Sequence, residues 1–287
     1  MERQNLINVI QRVGGQQSGL AESDALWRKI DFLQQTNRYS QLIKQLTKAN
    51  DRSNFLALLL EINFAFQFES RGLELRYEVK QNSQRQSSID FLRQTSNGDQ
   101  IYLELRLLQQ TKTFTDWIKK QLERFQAYVA DLKSIDEQNE IVRIQSTVLS
   151  KVQDRKGNPI KFFTTATNAV NIVAIDATDS LLKTIDIHDC MLATHGDPSV
   201  EEQFRRGVFG LFQKVKTDDS KESQDLAAKY KHIRNTLHGV LFLFKVPNTG
   251  DLAYELECFL ISNPVLISTD RAAVAFEEIV RTIPRRN

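Results

Sequence analysis

Cysteine is scarce in this chain of 287 residues: Cys190 and Cys258 are the only two, and neither lies in a CxxC pair. That excludes a disulfide framework and a cysteine-rich metal module, and a reducing cytoplasm is the expected compartment. Long apolar runs are also missing. The longest, around "FLALLLEINFAFQF", is broken by Glu61, so no membrane span is expected. The N-terminal "MERQNLINVIQRVGG" has no signal-peptide apolar core. Charge of one sign is lacking as well. Lys+Arg number 38 and Asp+Glu 36, a net +2, which is not the balance of a protein that coats nucleic acid. A local basic patch remains compatible with that balance. No P-loop, GxGxxG, HExxH or GxSxG signature is present, nor any internal repeat.

What is present is an average globular composition, 41% hydrophobic and 26% charged, on a chain long enough to bury a substantial core. Residues 1–50 repeat apolar side chains at three- and four-residue spacing in "NLINVIQRV", "ALWRKIDFLQQ" and "YSQLIKQLTKA", which predicts helices broken near Gly14-Gly15 and Asn37. "SNFLALLLEINFAFQFE" (53–69) predicts a helix apolar almost all round, capped by Ser53 or Asn54 and ended by Gly72. "LELRYEVK" (73–80) alternates with the period of a strand. Further helices are expected over 114–132 and over "EIVRIQSTVLSKVQDRKG", which ends at Gly157. "AVNIVAIDAT" (169–178) predicts a strand buried on both faces. A helix in "DSKESQDLAAKYKHIRNT", strands in "LHGVLFLFKVP" and "LAYELECFLISNP", and a terminal helix capped by Asp270 complete the order. The expectation is an α/β (α+β) fold with a mixed central sheet flanked by helices. Its parts are a helical region 1–50, a core 51–180 and an extension 181–287 packed on the same sheet.

The stretch "SSIDFLRQTSNGDQIYLELRLL" (87–108) carries acids inside its most strand-like sequence. A two-residue Asn97-Gly98 turn would mix apolar and charged residues on each face. A three-residue loop, Ser96-Asn97-Gly98, places Gly98 where a left-handed residue is needed and pairs Phe91 with Leu103. Ile89, Phe91, Ile101, Leu103 and Leu105 then share one apolar face. Asp90 falls opposite Glu104, with Arg106 on the same face. Facing carboxylates repel and need water, a cation, a raised pKa or a metal ion to offset them. Oxygen ligands of this kind suit Mg²⁺ or Mn²⁺. Glu61, flanked by Leu60 and Ile62 in an apolar helix, is a third acid in costly surroundings. The plain alternatives are a solvated sheet face with a cross-strand ion pair, and a Glu61 bonded to Arg71 or Arg76.

The order of these residues resembles the PD-(D/E)XK nuclease superfamily: an acid in a helix, a strand, Asp on the next strand, and Glu-x-Lys on the strand after. The correspondents here are Glu61, the strand 73–80, Asp90 and "ELR" at 104–106, with Arg106 in place of the usual lysine. The resemblance covers the middle half of the chain. It implies a restriction-endonuclease-like αβββαβ core and metal-dependent hydrolysis of phosphodiesters, most directly in DNA. It also implies Mg²⁺ or Mn²⁺ held by Asp90, Glu104 and the backbone carbonyl of Leu105, with Glu61 assisting. Arg106 cannot serve as a base but can stabilise transition-state charge. Gln109, Lys151 and Gln153 are further candidates for the polar helix position such nucleases carry after the motif. A catalytically inactive module that binds nucleic acid or a protein is the alternative, and a homodimer is compatible with either.

Two other stretches carry chemistry-bearing side chains. His188, Asp189, Cys190 and His195 in "DIHDCMLATHGD" match no standard zinc spacing and are expected to be structural loop residues. "FRRGVFGLFQKVK" (204–216) interleaves cations with phenylalanines. It fits either a phosphate-contacting surface or a partly buried amphipathic element.

Overall fold

The computed structural model describes residues 1–13, 20–80, 88–108, 134–152, 168–177, 185–200, 202–214, 218–266 and 270–286. Three helices open the chain, α1 (Arg3–Val13), α2 (Leu20–Gln35) and α3 (Ser40–Lys48). Asn37 turns the α2–α3 corner at φ 58°. The apolar helix follows as α4 (Arg52–Glu69), and it is buried on most sides as its composition requires. Its cap is Asp51, whose carboxylate accepts the Asn54 N–H, rather than Ser53 or Asn54. Asp51 stands one residue before the first helical turn, where its extended backbone leaves the side chain free to reach forward. Gly72, at φ 75°, takes the chain out of the helix.

Six strands form one sheet in sequential order: β1 (Leu75–Val79), β2 (Ile89–Gln94), β3 (Gln100–Leu107), β4 (Ala169–Asp176), β5 (Gly239–Lys245) and β6 (Leu256–Ser262). β1, β2 and β3 are an antiparallel meander, β3, β4 and β5 run parallel, and β6 returns antiparallel. Between β3 and β4 lies α5 (Ser134–Val152), which starts six residues before the predicted stretch at Glu140. The helix expected over 114–132 and the end expected at Gly157 lie outside the described residues. α6 (Ile187–Thr194), α7 (Glu202–Arg206) and α8 (Lys221–Thr236) precede β5, and α9 (Asp270–Thr282) closes the fold. Asp270 is the first residue of α9.

The sheet separates two apolar layers. Phe91, Ile101, Leu103, Leu105, Val170, Ile172, Leu241 and Leu243 face α1–α4 and α9. Val173, Ile175, Val240 and Phe242 face α5, α6 and α8. β4 is buried along its whole length, because both layers cover it. This is a mixed α/β architecture, a six-stranded sheet flanked by helices. No helix among the described residues is long and apolar enough to cross a membrane.

Candidate functional site

The β2–β3 hairpin closes through the three-residue loop. Thr95 N–H donates to the Asp99 carbonyl at 2.9 Å, Gly98 N–H donates to the Thr95 carbonyl, and Gly98 sits at φ 83°. Phe91 pairs with Leu103 and Gln94 with Gln100, the register that segregates the apolar side chains. Two details differ from the expected ladder. The β2–β3 pairing ends at Phe91–Leu103, so Asp90 is not a ladder partner of Glu104. The Asp90 carboxylate instead accepts the Leu105 N–H at 2.7 Å, filling the place of a strand carbonyl. Ile89, in turn, does not share the face of Phe91; it packs in the layer of α5.

β1 is irregular at the same level. Between the pairs Tyr77–Phe91 and Val79–Ile89 come Glu78 and Asp90, and Glu78 holds the left-handed region at φ 49°, which interrupts the regular pleat of β1 opposite Asp90. Glutamate in this conformation is strained and must be held by its surroundings. Gln41 and Gln45 on α3 both donate to its carboxylate, Gln45 at 3.0 Å.

The acids converge around this break. Glu61, from α4, accepts the Tyr77 hydroxyl at 2.8 Å, not Arg71 or Arg76. Burial is the main cause that pushes its carboxyl up to about 8. The negative charges of Asp90, Glu104 and Glu78 push the same way, while the Tyr77 hydrogen bond opposes them. Helix α4 and strands β1, β2 and β3 therefore deliver four carboxylates into one electrostatic neighbourhood.

Glu104 is fully buried, and its countercharge is Lys151 near the end of α5, with Nζ 2.5 Å from Oε1. Forty-seven residues separate the two. Arg106, two residues along the strand from Glu104, is exposed and has no ion pair among the described residues. Among the described residues, the cation paired with these acids is therefore the helix lysine, not the arginine at the motif position. Gln109 and Gln153 fall outside the described residues.

Leu105 completes the group. The N–H of Gln100 and that of Leu108 donate to β4 carbonyls at Asn168 and Asp176, so even-numbered residues of β3 bond β4. Odd-numbered ones bond the β2 side, and the Leu105 carbonyl faces the same way as its N–H. Asp90 and the Leu105 carbonyl thus lie where β2 leaves β3, and Glu61 and Glu104 are within electrostatic reach of each other, with Asp90 likewise within reach of Glu61. Among the described residues, no three or more His, Cys, Asp and Glu side chains form a ready metal-holding group.

The histidine and cysteine stretch forms the helix α6, not a loop, and Asp186 and Asp189 form a reciprocal capping box at its start. Cys190 is buried, and His195 Nε2 lies 2.8 Å from the Ser262 carbonyl. His238, just before β5, accepts the Asn171 N–H on Nδ1, and burial holds its pKa down.

Comparison with known proteins gave no match: no family model, no curated protein and no solved structure aligns with this chain.

Proposed function

We propose that the chain is a metal-dependent nuclease of restriction-endonuclease-like fold, hydrolysing phosphodiester bonds in nucleic acid, most directly DNA. The observation that carries this reading is the convergence of Glu61, Asp90 and Glu104, with Lys151 against Glu104, at the gap between β2 and β3. The element order α4–β1–β2–β3–α5–β4 supports the αβββαβ core that the motif implies.

The donor set fits a hard divalent cation such as Mg²⁺ or Mn²⁺. It is all oxygen, and burial first, then repulsion from the neighbouring acids, drives Glu61 toward protonation. Asp90, Glu104 and the Leu105 carbonyl would hold the ion, with Glu61 assisting. When bound, the ion would supply positive charge to the phosphate oxygens. Asp90 is oriented for this by the Leu105 N–H. Lys151 brings the ammonium that the sequence motif lacks at Arg106, and it can orient water at the scissile phosphate. Arg106 offers an exposed guanidinium that can meet the charge developing on the phosphate. Burial and the neighbouring acids favour protonated Glu61 in the ion-free site, and a bound divalent cation would favour its ionised form.

The test is cleavage of labelled DNA with Mg²⁺ by pure protein. Wild type is expected to cut. Asp90→Ala and Lys151→Met are expected to lose about 100-fold or more, and Arg106→Ala markedly less. Cleavage at the wild-type rate by Asp90→Ala would refute the assignment. One observation favours the alternative of an inactive binding module: Lys151 already neutralises Glu104 without any ion. On that reading nucleic acid binds and no variant cuts.

A further inference from the structure

We infer that a basic cleft between α7 and α8 binds the phosphates of a single-stranded nucleic-acid segment. It lies outside the acidic site and uses the cation-rich stretch 204–214, which the proposed chemistry leaves without a role.

The cleft has a volume of about 540 Å³ and is lined by Arg206, Lys214, Lys231 and Arg234 together with Tyr230 and Phe209. No acidic side chain among the described residues lines it. The acids of α8, Glu222 and Asp225, sit in its first turns, away from the lining positions. Like charges gathered in one concavity repel each other, and a bound anion would relieve that repulsion.

The walls are built rigidly. Gly207 packs so closely on α6 that an added Cβ would lie 2.3 Å from the Thr194 carbonyl oxygen. The N–H groups of Val208 and Phe209 donate to the Ala193 and Thr194 carbonyls, both at 3.0 Å. Arg234 reaches across from α8 to the Gly210 carbonyl at 2.6 Å. Arg206 lies over Tyr230, 4.3 Å from the ring centre, with its Nη2 3.3 Å from the phenol oxygen. Its buried Nε has no hydrogen-bond partner among the described residues, and Arg206 adds a fixed positive charge to the cleft lining. Lys214 and Lys231 stand exposed at the rim, and neither has an ion pair among the described residues.

Phe212 bears on the kind of phosphate. It does not itself line the cleft, but it lies in the turn between the lining residues Gly210 and Gln213 and is 50% exposed. An exposed aromatic ring beside a cationic cleft is the combination that accepts an unpaired base together with its backbone. A duplex keeps its base faces stacked inside and cannot use it. The cleft also belongs to the layer that holds Lys151: Ile233 of α8 and Leu237, which ends it, share one core with Ile144 and Val148 of α5. As a substrate contact, though not as a binding site, the cleft rests on the nuclease reading.

The experiment is anisotropy titration of labelled single-stranded DNA and RNA oligonucleotides with the full chain in EDTA, repeated across salt concentrations. Lys214→Glu/Lys231→Glu should weaken binding by tenfold or more and flatten the log–log salt slope by about one to two. The equally charge-reversed Arg28→Glu/Arg281→Glu, exposed on α2 and α9, should change it less than threefold. Phe212→Ala should weaken oligonucleotide binding while leaving tripolyphosphate binding unchanged. The inference is overturned by absence of oligonucleotide binding, by equal losses in the two charge-reversed variants, or by preference for duplex. Tripolyphosphate binding as tight as the oligonucleotide, with Phe212→Ala silent on both, overturns the strand in favour of a small-phosphate site. Oligonucleotide binding by wild type in EDTA, with no cleavage by wild type in Mg²⁺, removes the nuclease reading and leaves the cleft. Unchanged binding by the Lys214→Glu/Lys231→Glu protein, with cleavage intact, removes the cleft and leaves the nuclease.

Discussion

Glu61 is the residue whose surroundings depart furthest from what a carboxylate prefers. Burial first, and then the neighbouring acids, hold its folded carboxyl at about 8 against an ordinary value of 4.5. The folded state therefore binds this proton more tightly than the unfolded chain does. The contribution is fully present below pH 4.5 and is lost as pH rises to about 8. In denaturant titrations without divalent ions, wild type is expected to lose about 2–4 kcal/mol from this group between pH 5 and 8.5. Glu61→Gln, which cannot ionise, should lose much less over that range. Identical slopes for the two proteins would place the acids elsewhere.

Lys151 and Glu104 make the second residue-scale prediction. Lys151→Met leaves a fully buried carboxylate without its ammonium, and the expected cost is about 3–5 kcal/mol. Lys151→Met/Glu104→Gln should recover most of that cost. A double-mutant cycle measures it, and simple additivity of the two substitutions would contradict the pair. The sequence contained both residues but little to join them. Glu-x-Arg drew attention to Arg106, two positions from Glu104, whereas the partner lies a loop and a helix away. Long-range pairing of this kind leaves no local spacing to read.

The β2–β3 hairpin was the most legible element. Its register followed from hydrophobic alternation and from one glycine, since only one loop length puts the apolar side chains on a common face. Gly98→Ala tests the loop itself. An added Cβ meets nothing within 4 Å, so the cost comes from φ 83° alone, about 1 kcal/mol in a thermal melt. A neutral or stabilising result would argue against the left-handed loop. The same alternation misled at Ile89 and Asp90. A strand pattern assumes an unbroken pleat, and at this level the left-handed Glu78 interrupts that of the neighbouring strand. Glutamate gives no local signal of positive φ; the two α3 glutamines that hold it are more than thirty residues away. α4 was recognisable from its apolar surface, yet its cap moved to Asp51 because Ser53 and Asn54 offered equally good capping chemistry one turn inside.

At the scale of the whole molecule, the acidic group exists only because two helical layers and a six-stranded sheet meet at the break. Glu61 comes from one layer, Lys151 from the other, and Asp90 and Glu104 from between them. The alternating and continuous apolar runs were sufficient to read the mixed sheet and its flanking helices. The convergence of three acids with a helix lysine required the fold. The proposed role of this convergence is to hold a divalent cation. The decisive experiment is calorimetric titration with Mn²⁺ at pH 7.5, comparing wild type with Asp90→Asn and Glu104→Gln. Wild type is expected to bind saturably, and both substitutions to weaken binding at least tenfold. Absent binding, or binding that neither substitution alters, would overturn that role.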